Sequence, residues 1–493
     1  MNKQMKKIIL TIGLVVTAAL ALQAESFTGP IVVTRNGQVN TTTATVSTAD
    51  GGNGRYTLTL QVPVFGTMVM NDVPAATTGE ITVFSAERDV ATNFGMMRTT
   101  VFARVTDGMM AADVAIPAQN ITMWFNTVGD HFQLPNSDFE TWTGDNGEPD
   151  RWHGFKTATG TFAGLSPALL EQSEDIHNDA TGQYSAVVTA KNAGLSIANG
   201  TMTNGRLNAG SWTATSTSNH ASMDAEYGDN FYMPLYAKPD KFNVWLKYTQ
   251  GTTNNNNLAN VSVKTFDGTY YQEPVDKEYT NLSGSIVGGP IPAGDWTFYS
   301  FPIDYASYAA NNAATEAIFV TFSTNGNPGQ GSSGDQLYID DIELVYLASM
   351  TDLCYQGTTI EGWDPAVTTY NMQITGAPNL DDFTATIEGA SAIVTKLMEQ
   401  NADGTWRIVI SAVSGDLQTA TAYIINVTAP TVLRGDVDGN GIIGMDDLTA
   451  LINYLVFNTT EGINLENADV DAVGGIGMDD LTALINYLVY GHF

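Results

Sequence analysis

Apolar residues recur along most of this chain with a period of two. Short runs such as Tyr56-Thr-Leu-Thr-Leu60, Glu80-Ile-Thr-Val-Phe84 and Phe242, Val244, Leu246 place one hydrophobic side chain at every second position, the signature of a half-buried strand. Gly-Gly-Asn and Asp-Gly pairs between such runs supply hairpin turns. The period lengthens only near the end, where Leu448, Leu451, Ile452 and Leu455 fall at i, i+3, i+4 and i+7 and predict an amphipathic helix. At the start, Lys3, Lys6 and Lys7 precede an unbroken apolar or small run from Ile8 to Ala21. That run falls short of the ~20 residues that span a bilayer, and small residues at Ala21 and Ala24 suit a peptidase, so residues 1–24 read as a cleavable export signal. No later run is longer, and no transmembrane segment is expected.

Composition narrows the picture. At roughly 100 to 200 residues per domain, 493 residues imply three to five domains. With 52 acids against 20 bases, a net charge of -32, no broad electrostatic grip on nucleic acid or an anionic membrane is available. The 15% charged content and 47 glycines fit turn-rich β-sandwiches rather than helical bundles. The expected fold is mainly β and multidomain: a small β-barrel over 25–132, a β-rich stretch over 133–348 that resembles a jelly roll, a stretch over 349–430 whose frame Tyr355-Gln-Gly357, Gly362-Trp-Asp-Pro365 and Ala422-Tyr-Ile-Ile-Asn-Val427 resembles an immunoglobulin- or cadherin-like sandwich, and a small helical module over 431–493. Cys354 is the single cysteine, so no intramolecular disulfide can form and no thiol near residue 25 can take a lipid; it is expected as a small buried residue.

The helical module carries the clearest chemistry. Gly444-Met-Asp-Asp-Leu-Thr-Ala-Leu-Ile-Asn-Tyr-Leu-Val456 recurs unchanged 33 residues later as Gly477 to Val489. Each copy follows an acid-rich loop with calcium-loop spacing, in which positions 1, 3, 5, 7 and 12 supply oxygens. In the first copy these are Asp436, Asp438, Asn440, the Ile442 carbonyl and Asp447, with Gly441 at the tight turn. The second offers Asp469, Asp471, the Gly475 carbonyl and Asp480, but Val473 at position 5 has no side-chain oxygen, so weaker calcium binding is expected there. Ten acids face Arg434 alone over 431–493, and without a cation they would repel. Each loop and exiting helix is half an EF-hand that needs its duplicate to bury its apolar stripe. Residues 433–493 resemble a type I dockerin, which implies Ca2+ as cofactor and a cohesin-type domain as protein partner. By that resemblance, partner choice is set at loop positions 10 and 11, here Met445 and Asp446 and their repeats Met478 and Asp479, on two nearly equivalent faces.

The β regions carry looser resemblances. The order of threonine-rich, Tyr-Thr-Leu-Thr-Leu, Gly79-Glu-Ile-Thr-Val and Asn120-Ile-Thr-Met-Trp-Phe125 strands resembles a calycin-like, lipocalin-related domain of secreted Bacteroidetes proteins. Met68, Met70, Met96, Met97, Met109 and Met110 are expected to fill gaps in its core rather than line a ligand cavity. The 133–348 stretch opens with Asn136-Ser-Asp-Phe-Glu-Thr-Trp142 and Pro149-Asp-Arg-Trp152 and closes with Tyr338-Ile-Asp-Asp-Ile-Glu-Leu344; it resembles jelly-roll carbohydrate-binding modules and the putative carbohydrate metabolism domain of Bacteroidetes. First and last strands lie side by side in that fold, which would bring Glu140 to Asp340 and Asp341 and make Glu140 and Asp341 candidate metal ligands. Sugar binding needs flat aromatic faces. Trp152 and Trp212, beside turns, are the candidates for carbohydrate contact, whereas Trp245 and Trp296, inside apolar alternations, are expected in the core.

The five histidines sit beside no nucleophile elbow or zinc pattern, and no catalytic residue is assigned. Glycoside hydrolysis needs only two carboxylates, so a polysaccharide-degrading enzyme with its activity in 133–348 is the alternative. The preferred expectation is a secreted or cell-surface protein that binds polysaccharide and docks through its calcium-dependent tail.

Overall fold

A computed structural model describes residues 25–492 apart from 145, 195, 254–256, 375–376 and 429–432. The export signal expected over 1–24 lies outside the described residues.

The protein is mainly β. Eight consecutive antiparallel strands, from Glu25–Arg35 to Ile121–Asn126, close into a barrel in which the last pairs with the first. Alternation decides which side chains enter it: along Arg55–Val62, Tyr56, Leu58, Leu60 and Val62 point inward. Asn36-Gly37, Asn53-Gly54 and Asp107-Gly108 all hold positive φ, the backbone that two-residue hairpins require. Met68, Met70 and Met110 join Phe84 and Phe125 in a filled interior, while Met97 and Met109 are half-buried and Met96 is exposed.

A jelly roll follows. Its central strand Lys241–Thr249 pairs with Gly294–Asp304 on one side and with the closing strand Gln336–Val345 on the other. Thr201–Thr203, Ala317–Ser323 and Ala259–Phe266 run side by side on the facing side of the sandwich. Phe242, Val244 and Leu246 are buried between, together with Val261, Val263 and Phe322. The opening segment 136–140 forms turns rather than a strand, yet it still runs beside the closing strand, where Ile342 N–H donates to the Ser137 carbonyl at 3.0 Å.

Residues 349–428 build two further sheets. One has three strands centred on Ser349–Tyr355; the other has four, with Thr369–Gln373 parallel to Ala420–Thr428. Thr386–Thr395 and Ala412–Thr421 belong to the same compact unit as the barrel and jelly roll. Arg104 of the barrel donates from Nε to the Leu417 carbonyl at 3.1 Å, and Ala390 N–H donates to Asp240 at 2.7 Å. Cys354 is half-buried rather than fully buried, because its thiol turns toward Asp352 at 3.2 Å; that carboxylate holds the thiol above its usual pKa.

The tail holds helices α1 (Met445–Phe457), α2 (Leu465–Ala468) and α3 (Met478–Tyr490). Leu451 of α1 and Leu484 of α3 meet Val437, Ala468 and Val470 in one small core. Leu448 and Leu455 pack on it, but Ile452 faces outward, so the buried stripe is narrower than the sequence pattern.

Candidate functional site

The two acid-rich loops fold alike because each helix start organises its own loop. Asp447, at the third position of α1, accepts from the N–H of Gly444 at 2.7 Å and of Asp438 at 3.0 Å; Asp480 repeats this with Gly477 at 2.7 Å and Asp471 at 3.1 Å. Both carboxylates are buried, and each sits in the first turn, where the helix dipole favours a negative charge. Candidate ligand oxygens of Asp436, Asp438 and Asp447 lie within 4.8 Å of one another, as do those of Asp469, Asp471 and Asp480. Burial pushes the Asp447 carboxyl above its ordinary range, and the charges of Asp438 and Asp436 add to this against the two amides. Asp436 Oδ1 and its repeat Asp469 Oδ1 are buried without a hydrogen-bond partner. A buried lone carboxylate oxygen is costly unless a cation meets it, and a set of hard oxygens is the donor chemistry of calcium. In loop one, Asn440 Oδ1 accepts from Ile442 N–H at 2.9 Å, while its Nδ2 donates to Asp438 and Asp446, both at 3.0 Å. Val473 brings neither group to loop two.

A second acid cluster lies in the jelly roll. Asp340 and Asp341 sit where the pairing with Lys241–Thr249 shifts register, and Asp341 has φ 43°. Burial first, then Asp341, with Glu140 and Asp138 adding, pushes the Asp340 carboxyl up to about 8. Asp340 Oδ2 is buried without a partner. Glu140 is near, as the jelly-roll resemblance implies, but its Oε1 accepts from the N–H groups of Gln183 and Tyr184, both at 2.7 Å. Gly182 leaves room for this contact, since a Cβ there would stand 2.3 Å from that oxygen and Glu140 would have to shift. Instead His177, unseen from sequence, reaches Asp341 Oδ2 at 2.8 Å. His177 Nδ1 accepts from Asp179 N–H at 3.3 Å, which leaves the proton on Nε2. His177 thus orients Asp341, and a ring nitrogen of His177 and carboxylate oxygens of Asp340 and Asp341 lie within 4.8 Å of one another, a set that could hold a cation.

The jelly roll also carries a cleft of about 350 Å³. Its floor is the outer face of three strands: Thr201, Ser323 and Asn260 stand in one cross-strand row and Thr321 and Ser262 in the next. Their alternate neighbours Val261, Val263 and Phe322 point into the core, so the same strands give an apolar interior and an uncharged polar floor. Trp212, 54% exposed, and Phe162 form one wall with ring centroids 4.9 Å apart. Trp212 is thus exposed. Trp152 is not: it is fully buried against Phe139 and Phe322 and donates from Nε1 to the Pro135 carbonyl at 3.3 Å, so it has no face for a sugar. Trp245 and Trp296 depart in the other direction and are half-buried on an outer face, beside Phe298 and Tyr338. The available signal was the alternation itself, which sets Trp245 on the side opposite Val244 and Leu246. Among the described residues lining the cleft, Glu273 is the one carboxylate.

Comparison with known proteins bears on the tail first. Residues 434–489 match the family model of the Dockerin type I domain. The C-terminal module is a dockerin. No curated protein sequence matches the chain. Among solved structures, it is similar to the enzymatically active domain of tailspike protein 4 of bacteriophage CBA120 (15% identity, 43% of this chain and 21% of that one, TM-score 0.23). It is also similar to a xylan-binding domain of carbohydrate-binding module family 22 (13%, 43% and 97%, 0.20) and to SGBP-B of a Bacteroides uniformis xyloglucan utilization locus (10%, 64% and 85%, 0.19). The chain thus spans about a fifth of the tailspike domain it matches.

In the dockerin, Met445 and Met478 open α1 and α3 and are each 67% exposed. Asp446 and Asp479 follow them in the first turns. The two faces repeat the same residues but differ in support, because Asn440 braces Asp446 and Val473 has no group to brace Asp479.

Proposed function

We propose that this is a secreted or cell-surface protein that binds polysaccharide in the jelly-roll cleft and docks to a cohesin-type domain through its calcium-loaded dockerin. The observation that carries the docking half is the duplicated pair of unpartnered buried oxygens, Asp436 Oδ1 and Asp469 Oδ1, each beside an exposed Met-Asp pair. When bound, calcium supplies charge neutralisation. Asp436, Asp438, Asn440, the Ile442 carbonyl and Asp447 would hold it in loop one, and Asp469, Asp471, the Gly475 carbonyl and Asp480 in loop two. Met445, Asp446, Met478 and Asp479 would then meet the partner. The cleft supports the glycan half: an aromatic wall for the apolar face of a pyranose and uncharged amides and hydroxyls for its rim. One carboxylate in that lining favours binding over hydrolysis. A further cation at Asp340 and Asp341, with Glu140 bracing the neighbouring turn, would join the opening segment to the closing strand.

The test is a glycan array and a reducing-sugar assay on the full chain, with a cohesin-domain pull-down in calcium and in chelator. Saturable sugar binding without product, and capture only in calcium, are expected. Product release would replace the binding role by a catalytic one.

A further inference from the structure

In the cleft lining, acceptor capacity is left over at Asn199 and Glu273, and a hydroxyl at Thr321. Asn199 donates from Nδ2 to the carbonyls of Asn325 at 3.1 Å and Asn327 at 3.2 Å, which leaves its Oδ1 buried without a partner. Thr321 Oγ1 is likewise buried and unpartnered, and acts as donor or acceptor. Glu273, also in the lining, accepts from the Tyr271 hydroxyl at 3.0 Å, and a carboxylate offers about four lone-pair sites. Among the described residues that line the cleft there is no Lys or Arg, and the one histidine, His220, turns its Nδ1 to the Thr217 carbonyl at 2.8 Å. Lys264, 3.7 Å from Glu273, is outside the lining and donates to Ser285 at 2.7 Å.

A ligand that satisfies these groups must bring O–H or N–H donors. A uronate or sulfate would instead set acceptors against Asn199 Oδ1 and negative charge against Glu273, within a chain that is itself strongly acidic. We infer that the cleft selects uncharged, hydroxyl-rich glycans and rejects those bearing uronate or sulfate, with Glu273 as the discriminating residue. This rests on the glycan reading of the same cleft.

The test places the full chain and its Glu273→Gln variant on an array of neutral oligosaccharides (cello-, xylo- and mannohexaose among them) beside oligogalacturonates and sulfated oligosaccharides. Glutamine keeps an acceptor for the Tyr271 hydroxyl, and a melting curve for each protein confirms that both are folded. The expected result is binding confined to neutral sugars. The variant should raise the ratio of uronate to neutral binding about fivefold, an effect that shrinks as salt is added. Anionic spots bound as well as neutral ones, or a ratio unmoved by the variant, would overturn the selectivity and leave the glycan reading standing. Binding to no sugar of either class would remove both.

Discussion

Trp212 and Trp152 are the same residue type in opposite roles, and substitution separates them. Trp212→Ala removes an exposed stacking face, so the affinity of the cleft for its glycan is expected to fall by about tenfold with little change in melting temperature. Trp152→Ala opens a cavity in a packed core and is expected to destabilise the protein by about 3–5 kcal/mol, measured by denaturant unfolding. If the first change lowered stability and spared binding, the assignment would be reversed. Both tryptophans stand beside turns in the sequence, and nearness to a turn does not say which way a side chain points. Trp245 is the converse case: its neighbours are apolar, but the period of two sends it outward. His177, whose role depends on the Asp179 amide and on Asp341 far along the chain, has no local pattern that would reveal it.

At the scale of elements, the dockerin was the most legible part, because a repeat, a 3.6-residue period and a ligand spacing all report on the same short segment. Its loops differ in one donor position, and calcium affinity should follow. Titration of the chelator-stripped protein is expected to show loop one tighter than loop two, and Val473→Asn should tighten loop two on the order of tenfold. Two equally tight sites in the unmodified chain would count against the reading. Packing sets a second expectation. Leu484 is fully buried in a core of few residues, so Leu484→Ala should cost about 2–5 kcal/mol and unfold the module unless calcium is in large excess. The barrel strands and their Gly-Gly-Asn and Asp-Gly turns were legible for the same reason of local periodicity. The cleft was not, since its floor is assembled from strands more than fifty residues apart in sequence.

At the scale of the whole molecule, an expected spacer sandwich turns out to share segments with the unit that precedes it. Arg104 is central to that join: nearly fully buried, it pairs with Asp113, lies 5.1 Å from the rings of both Phe102 and Trp124, and donates to the Leu417 carbonyl. Burial lowers its pKa and the neighbouring carboxylates oppose this, so it remains a charged donor. Arg104→Met keeps apolar bulk but leaves the Leu417 carbonyl without its donor, and a loss of about 1–3 kcal/mol is expected in calorimetric melting. Sequence gives no hint of this contact, because 313 residues separate its two ends.

The central claim is that metal holds the C-terminal module together, and among the described residues α1 and α3 are the only helices longer than two turns. A far-ultraviolet difference spectrum of the full chain therefore reports on that module. Chelation should remove a helical component and added calcium should restore it, whereas identical spectra with and without calcium would contradict the claim.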